Sequence, residues 1–233
     1  MNFENGWNER PSSFEQERRF RRLTALHTLT DAWIHAISPE EQSSYRLARM
    51  ERMTLNQNLW LYEKTRLDAL PLRLDQLVGA MTLDEFLDEL KDTIWIIQAA
   101  TIENVLSQGS DPAEIASVLQ QSSWKHGRDH AESIWGTDGR MSRDSAFEAL
   151  MESHIYDPHA FWLERKSEHE ISFIWKKSPH QLGILKTSSG LPLLGATHEH
   201  WIKGFIYGVS RQTRVIAGET RLLDSAHPHF ILL

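Results

Sequence analysis

Ala160-Phe-Trp-Leu-Glu-Arg-Lys-Ser-Glu-His-Glu-Ile-Ser-Phe-Ile-Trp175 decides how this chain reads. Ala160 to Arg165 and Glu170 to Trp175 both have strand character. In the second, Ile171, Phe173 and Trp175 alternate with their neighbours, the period-two pattern of a strand that buries one face. The short polar link Ser167-Glu168-His169 suits a hairpin. Downstream, Pro179, Gly183 and Gly190 read as a loop. Thr197 then caps a helix that bears Trp201, Ile202, Phe205 and Val209. Two more strands are expected at Thr213 to Ala217 and His229 to Leu233.

Upstream of Tyr156-Asp157-Pro158 the pattern is helical. A first helix from Ser12 or Ser13 carries Leu26, Leu29, Trp33 and Ile37 at helical spacing. Ser38-Pro39-Glu40-Glu41 ends it and starts a second helix, which runs to about Arg66 before Pro71. Thr82-Leu-Asp-Glu85 is a capping box; Leu83, Phe86, Leu90, Ile94, Ile97 and Val105 follow on one face, and Gly109 closes it. Asp111-Pro112-Ala-Glu114 opens another helix that runs to Gly136, and a shorter one spans about Ser145 to Ser153. The fold class is therefore α+β: a helical N-terminal half followed by a β-β-α-β-β antiparallel sheet module. The expected division is a flexible tail at 1–12, a helical region at 13–110 and an α+β small-molecule-binding module at 111–233.

The chain has 233 residues, no Cys and a formal charge of -7. Without thiols there is neither disulfide nor thiolate chemistry. The acidic balance argues against nucleic acid, whose phosphates call for Lys and Arg. The one basic cluster, Arg18-Arg-Phe-Arg-Arg22, is offset by Glu15 and Glu17 and reads as a solvated helix face. The N-terminus lacks the basic and apolar regions of a signal peptide, and the most apolar stretch, around Ile94-Trp-Ile-Ile97, is too short to span a bilayer. The expectation is a soluble cytoplasmic protein with no membrane association; homo-oligomerisation is left open.

Chemistry then falls to the 12 His, eight of which lie from His154 onward. Imidazole serves near neutral pH as acid, base or ligand. His126 and His130, in Trp124-Lys-His-Gly-Arg-Asp-His-Ala131, sit one helical turn apart and can address one ligand. Gly127 between them lets a ligand or another backbone approach, while Asp129 and Glu132 point elsewhere on the helix. Core histidines bonded to buried carbonyls, a ligand-facing pair and a metal site all fit this spacing. A metal is the reading it favours least, for want of an adjacent Glu and a third ligand, so neither metal nor cofactor is expected. His198 and His200 flank Glu199 at the expected helix start, and His180 follows a strand end. His27, Asp31 and His35 form a polar stripe or a helix–helix contact.

From Phe161 to Phe230 the layout resembles a family. The stretch holds Ser178-Pro179-His180, Leu191-Pro-Leu-Leu194, Trp201-Ile-Lys-Gly-Phe205, Arg214-Val-Ile-Ala-Gly-Glu219 and His229-Phe230-Ile231, preceded by Trp124-Lys-His-Gly127 with Ala131. It is similar to the L-2-amino-thiazoline-4-carboxylic acid hydrolase family, within the vinyl-reductase-like small-molecule-binding domains. Members often carry Cys near the hairpin end, before the helix and at the last strand. This chain has Ser178, Gly195-Ala196 and Pro228-His229 there, so a thiol-dependent reaction cannot occur. The resemblance implies a small organic ligand between the sheet and the Trp124–Trp135 helix. It also implies hydrolysis of a small cyclic or amide C–N bond, with His126, His130, His198 and His180 as acid–base groups. Trp124, Gly127, Trp175 and Trp201 would line the pocket. The alternatives are a non-enzymatic ligand-binding or accessory protein, and a partner-binding subunit that docks through its first two helices.

Overall fold

The computed structural model describes residues 14–37, 109–155, 161–175, 190–222 and 225–233, together with 82 and a set of helical residues from 84 to 107. The expected N-terminal tail, second helix and loop at 176–189 lie outside the described residues. So do Leu83, Leu90 and Ile97 of the expected apolar face.

Helix α1 (Phe14–Ala36) buries Leu23, Leu26, Leu29 and Trp33 at the expected spacing. The Thr82–Glu85 capping box is reciprocal: Thr82 N donates to Glu85 Oε2 at 2.9 Å, and Glu85 N donates to Thr82 Oγ1 at 3.3 Å. The helical residues beyond it bury Phe86, Ile94, Ile102 and Val105. Helix α2 (Pro112–Trp135) starts where Asp111 accepts from the Ala113 amide at 3.0 Å. It ends at Gly136, whose φ of 88° is the left-handed conformation that glycine adopts at little cost. Helix α3 (Arg143–Ser153) begins two residues before the expected Ser145. Ser142 is its cap, accepting from the Ser145 amide at 3.2 Å.

Four antiparallel strands follow, β1 (Phe161–Lys166), β2 (Ile171–Trp175), β3 (Val215–Leu222) and β4 (Ser225–Leu232), in the spatial order β1-β2-β4-β3. Helix α4 (Gly190–Val209) lies between the two hairpins in sequence. The β-β-α-β-β order thus stands, with longer final strands than expected. The first hairpin turns at Ser167, whose N donates to Glu170 O at 2.8 Å, and Arg143 of α3 donates to the Ser167 and Glu168 carbonyls.

Two local expectations are corrected. Thr197 does not cap α4: the helix starts at Gly190, and Thr197 is fully buried inside it. Strand β2 does not alternate between buried and exposed, because all five of its residues are buried. Its central position contributes through the side chains of its neighbours, since Glu164 of β1 and His229 of β4 reach Ser172. On its second face Ser172 donates to Glu164 Oε2 at 2.7 Å and lies 2.7 Å from His229 Nε2, so the buried hydroxyl is satisfied.

The other face of the sheet carries Phe161, Phe173, Trp175 and Phe230. Phe161 stacks on Trp175 at 5.6 Å, Phe173 stacks on Phe230 at 5.2 Å, and Phe147 of α3 meets Phe173 at 5.4 Å. Against this face lie Trp201 and Phe205 of α4, both buried. Helices α2 and α4 pack backbone to backbone. A Cβ on Gly127 would overlap the Trp201 carbonyl oxygen, and one on Gly204 would overlap that of Trp124. Gly208 meets Ala131 in the same way, so Gly127-x-x-x-Ala131 and Gly204-x-x-x-Gly208 are facing small-residue ridges.

The basic cluster on α1 is solvated only in part: Arg21 is exposed, whereas Arg22 is buried. Arg18 and Arg22 donate to the Glu152 carbonyl near the end of α3, and Arg19 pairs with Asp88. Cationic side chains at a helix C-terminus are favoured by its dipole. No helix among the described residues is long and apolar enough to cross a membrane.

Candidate functional site

His126 joins three helices. Its ring lies on α2, its Nε2 is 2.8 Å from Thr28 Oγ1 on α1, and its Nδ1 is 3.0 Å from Trp201 Nε1 on α4. The tautomer follows from the donors. An indole N–H only donates, so Nδ1 must accept. Thr28 Oγ1 spends its own proton on the Ala25 carbonyl at 2.9 Å, so it accepts from Nε2–H. The chain runs Trp201 to His126 to Thr28 to Ala25 and leaves neither imidazole nitrogen over. Burial, reinforced by the neighbouring His130, pushes the His126 pKa down to about 4, although Asp129 and Asp31 oppose this. His126 is a neutral interhelical bridge.

His130, one turn on, stacks on His126 with ring centroids 6.1 Å apart and 11° between the planes. Trp201 and Phe205 flank it at 5.9 and 6.3 Å. Its Nε2 lies 3.3 Å from the Ser153 carbonyl, which only accepts, so Nε2 carries the proton and Nδ1 the lone pair. Burial lowers its pKa, partly offset by that bond to Ser153. His130 is therefore neutral at pH 7, and among the described residues its Nδ1 has no partner.

A groove of about 730 Å³ opens between α1 and α2 beside this pair. Its α1 wall is Ala32, His35 and Ala36. Its α2 wall includes Val118, Lys125 and Asp129 along with His126 and His130. Asp129 is thus on the groove side, contrary to the expectation that it points elsewhere; Arg128 holds its carboxylate at 2.6 Å. Lys125 forms no ion pair among the described residues. His35 donates from Nδ1 to the Asp31 carbonyl at 2.8 Å, and His27 is buried with Nδ1 3.4 Å from Asp31.

The other expected site residues lie elsewhere. His198 is buried in the aromatic core, stacked on Trp33 at 6.5 Å and 5.3 Å from Trp175. Trp175 and Trp201 belong to that core too, where His154 sits 4.5 Å from Phe161 and 5.3 Å from Trp201. Trp175 and Trp201, expected to frame a ligand against the sheet, therefore meet the same core ring, His154. Trp124 faces outward, 5.3 Å from Tyr207 and under the Arg128 guanidinium at 5.4 Å. The room beside Gly127 is taken by α4 backbone. His180 lies outside the described residues. His126 and His130 are the only two of the four expected acid–base residues that the described structure brings together.

Thr28 and Lys125 are site residues that sequence reasoning passes over. Lys125 had a signal, being adjacent to His126, but a lone Lys on a helix is ordinarily solvated. Among the described residues no group of three or more His, Asp or Glu is placed to hold a metal ion. Comparison with known proteins finds no match: no family model, no curated protein and no solved structure is similar to this chain.

Proposed function

We propose that this is a small-molecule-binding protein whose ligand lies in the groove between α1 and α2. The observation that carries the reading is the groove itself. Its volume falls within the range of small-molecule sites, about 300–1,000 Å³, and its lining sets the polar side chains of His35, Gln121, Ser122, Lys125 and His130 beside Ala32, Ala36 and Val118. Convergent polar groups set in an apolar surround are how such sites fix a ligand. The binding version is favoured over the enzymatic one because both nitrogens of His126 are used structurally. The hydrolytic version, which the family resemblance implies, is a second reading. It would rest on His130 alone as the proton acceptor during cleavage of a small C–N bond. The third reading, docking of a partner through the first two helices, has less support at the first of them, because α1 spends its apolar face on the protein's own core; the second lies outside the described residues. The setting we propose is cytoplasmic.

The test is a fragment screen by thermal shift and amide chemical-shift mapping, on the native protein and on Ala32→Trp, which fills the groove from its α1 wall. Fragments should shift the amides of α1 and α2 in the native protein and lose that effect in the variant. Shifts that persist in folded Ala32→Trp, or a screen in which no fragment touches these helices, would reject the groove.

A further inference from the structure

We infer that β3 is the edge at which two copies of this chain join, each β3 pairing antiparallel with its mate about a two-fold axis at Ile216, so that two four-stranded sheets become one. The surface shares no residue with the groove, and the inference stands apart from the ligand.

The outer strands of a sheet carry unpaired backbone N–H and C=O groups. Such an edge accepts another strand unless a bulge, a charge or a proline blunts it. The order β1-β2-β4-β3 makes β1 and β3 the outer strands. β1 is blunted twice: its register shifts between Leu163 and Arg165, and Glu164, Arg165 and Lys166 are all exposed. On β4, pairing with β2 reaches Ile174–His229, and the residue beyond, Pro228, has no N–H to offer a further pair. β3 opens differently. Val215-Ile-Ala-Gly218 holds no charge and no proline, and the register with β4 is unbroken from Val215 to Leu222. Among the described residues no strand pairs with its outer edge.

The hydrogen-bond phase fixes how a second copy fits. Arg214 and Leu233 exchange both backbone bonds, at 3.1 and 3.0 Å. In an antiparallel ladder every second pair is bonded in this way. Ile216 and Gly218 therefore turn their N–H and C=O towards β4, while Val215 and Ala217 turn theirs outward. A two-fold axis at Ile216 sets Val215 of each copy against Ala217 of the other, and these residues exchange both bonds. Ile216 then meets Ile216 of the other copy at a pair that is not hydrogen-bonded, where side chains come closest. That contact covers the large apolar side chain that β3 leaves 42% exposed. Arg214, also exposed, falls opposite Gly218 of the other copy. A Cβ on Gly218 would meet nothing within 4 Å, so the arginine stem has room to cross. One register thus satisfies the outward backbone groups, the isoleucine and the glycine together. A second copy is the occupant because each feature finds its complement on β3 itself, as an isologous contact requires.

The chain has no Cys, so a single introduced thiol reports the register. Residues facing each other at such a pair have Cα atoms about 4.5 Å apart, within the span of a disulfide. Ile216→Cys should therefore crosslink two chains on mild oxidation. Gly218→Cys should not, because it lies four residues along the strand from its mate, about 13 Å. Analytical ultracentrifugation then gives the dimer dissociation constant of the native protein and of three variants. Ile216→Lys sets two ammonium groups face to face and should weaken the dimer about tenfold or more. Ala217→Pro removes an N–H that points outward, a place where an edge strand tolerates proline, and should weaken it as well. Leu163→Lys, on the β1 edge, should leave it unchanged. Retained amide dispersion verifies the fold of each variant. A native protein that stays monomeric at the highest concentration it reaches would overturn the inference. So would a dimer that survives in folded Ile216→Lys or Ala217→Pro, one that is lost in folded Leu163→Lys, or Gly218→Cys crosslinking as readily as Ile216→Cys.

Discussion

Replacing His126 by Leu tests the three-helix bridge directly. Leu keeps most of the volume and removes both ring nitrogens. Two consequences follow from the geometry. The Trp201 indole N–H, donating at 3.0 Å from a fully buried ring, is left without an acceptor. A stranded buried donor costs about 1–3 kcal/mol. Thr28 loses the proton it accepts at 2.8 Å but keeps its own bond to Ala25, so this second loss is the ordinary net worth of one hydrogen bond, about 1 kcal/mol. Together the variant should lose about 2–4 kcal/mol. At about 2–4 °C per kcal/mol for a chain of this size, the midpoint should fall by about 4–16 °C. The assay is urea unfolding of the native protein, His126→Leu, Trp201→Phe and the double variant. Trp201→Phe removes the same N–H, so the penalty for stranding it vanishes. His126→Leu should then cost about 1–2 kcal/mol less when Trp201→Phe is already present. A single-variant cost under about 0.5 kcal/mol, or strict additivity of the two changes, would refute the bridge.

Three further outcomes are expected. The His126 pKa is depressed in the folded state, to about 4, so its contribution is fully present above the unfolded value of about 6.5 and is lost as pH falls from there toward 4. Between pH 7.5 and 5 the native protein should lose about 2 kcal/mol through this group, with His130 adding in the same direction; a urea midpoint in His126→Leu that falls as steeply would assign the loss elsewhere. Gly127→Ala and Gly204→Ala should each destabilise, because about 1–3 kcal/mol of overpacking against a carbonyl outweighs the gain of up to about 1 kcal/mol in helix propensity; calorimetric midpoints at or above the native value would show that α2 and α4 do not pack so closely. Protein purified without chelator should carry under about one tenth equivalent of zinc, since His126 has no nitrogen left to give a metal; stoichiometric zinc that leaves in His130→Phe would sink this.

The legible parts of the fold are those whose signal is local. Thr82 with Glu85, Asp111 with Pro112, and glycines at 109 and 136 mark helix ends by side-chain and backbone chemistry within four residues, and each stands where the pattern puts it. The hairpin at Ser167 is local in the same sense. Thr197 misleads because a hydroxyl residue ahead of an apolar run looks like a cap whether or not helix precedes it. The helix in fact begins at Gly190, with Pro192 in the first turn, where proline is tolerated. Full burial of β2 depends in part on its central place in the sheet, which alternation within five residues does not report. The groove is least legible of all. Its walls are distant in sequence, and the bond that ties them, Thr28 to His126, joins residues 98 apart.

The spacing of His126 and His130 is the same to a sequence reader whether the rings are structural or functional, and the structure separates them by counting partners. An imidazole exchanges protons or meets a ligand only through a nitrogen that the fold has not already used. His126 has none: an indole donor on one side and a hydroxyl acceptor on the other fix its tautomer and its charge together. His130 has one, because a carbonyl takes its Nε2–H and leaves Nδ1 open. The first ring therefore holds α1, α2 and α4 in place, and the second is the group that α2 offers beside the groove. The glycine between them serves the same arrangement. By admitting α4 backbone next to α2, Gly127 brings Trp201 close enough to occupy Nδ1 of His126. On the proposed reading the chemistry expected of the pair falls to a single residue, and His130 is where substitutions should change ligand binding more than they change stability.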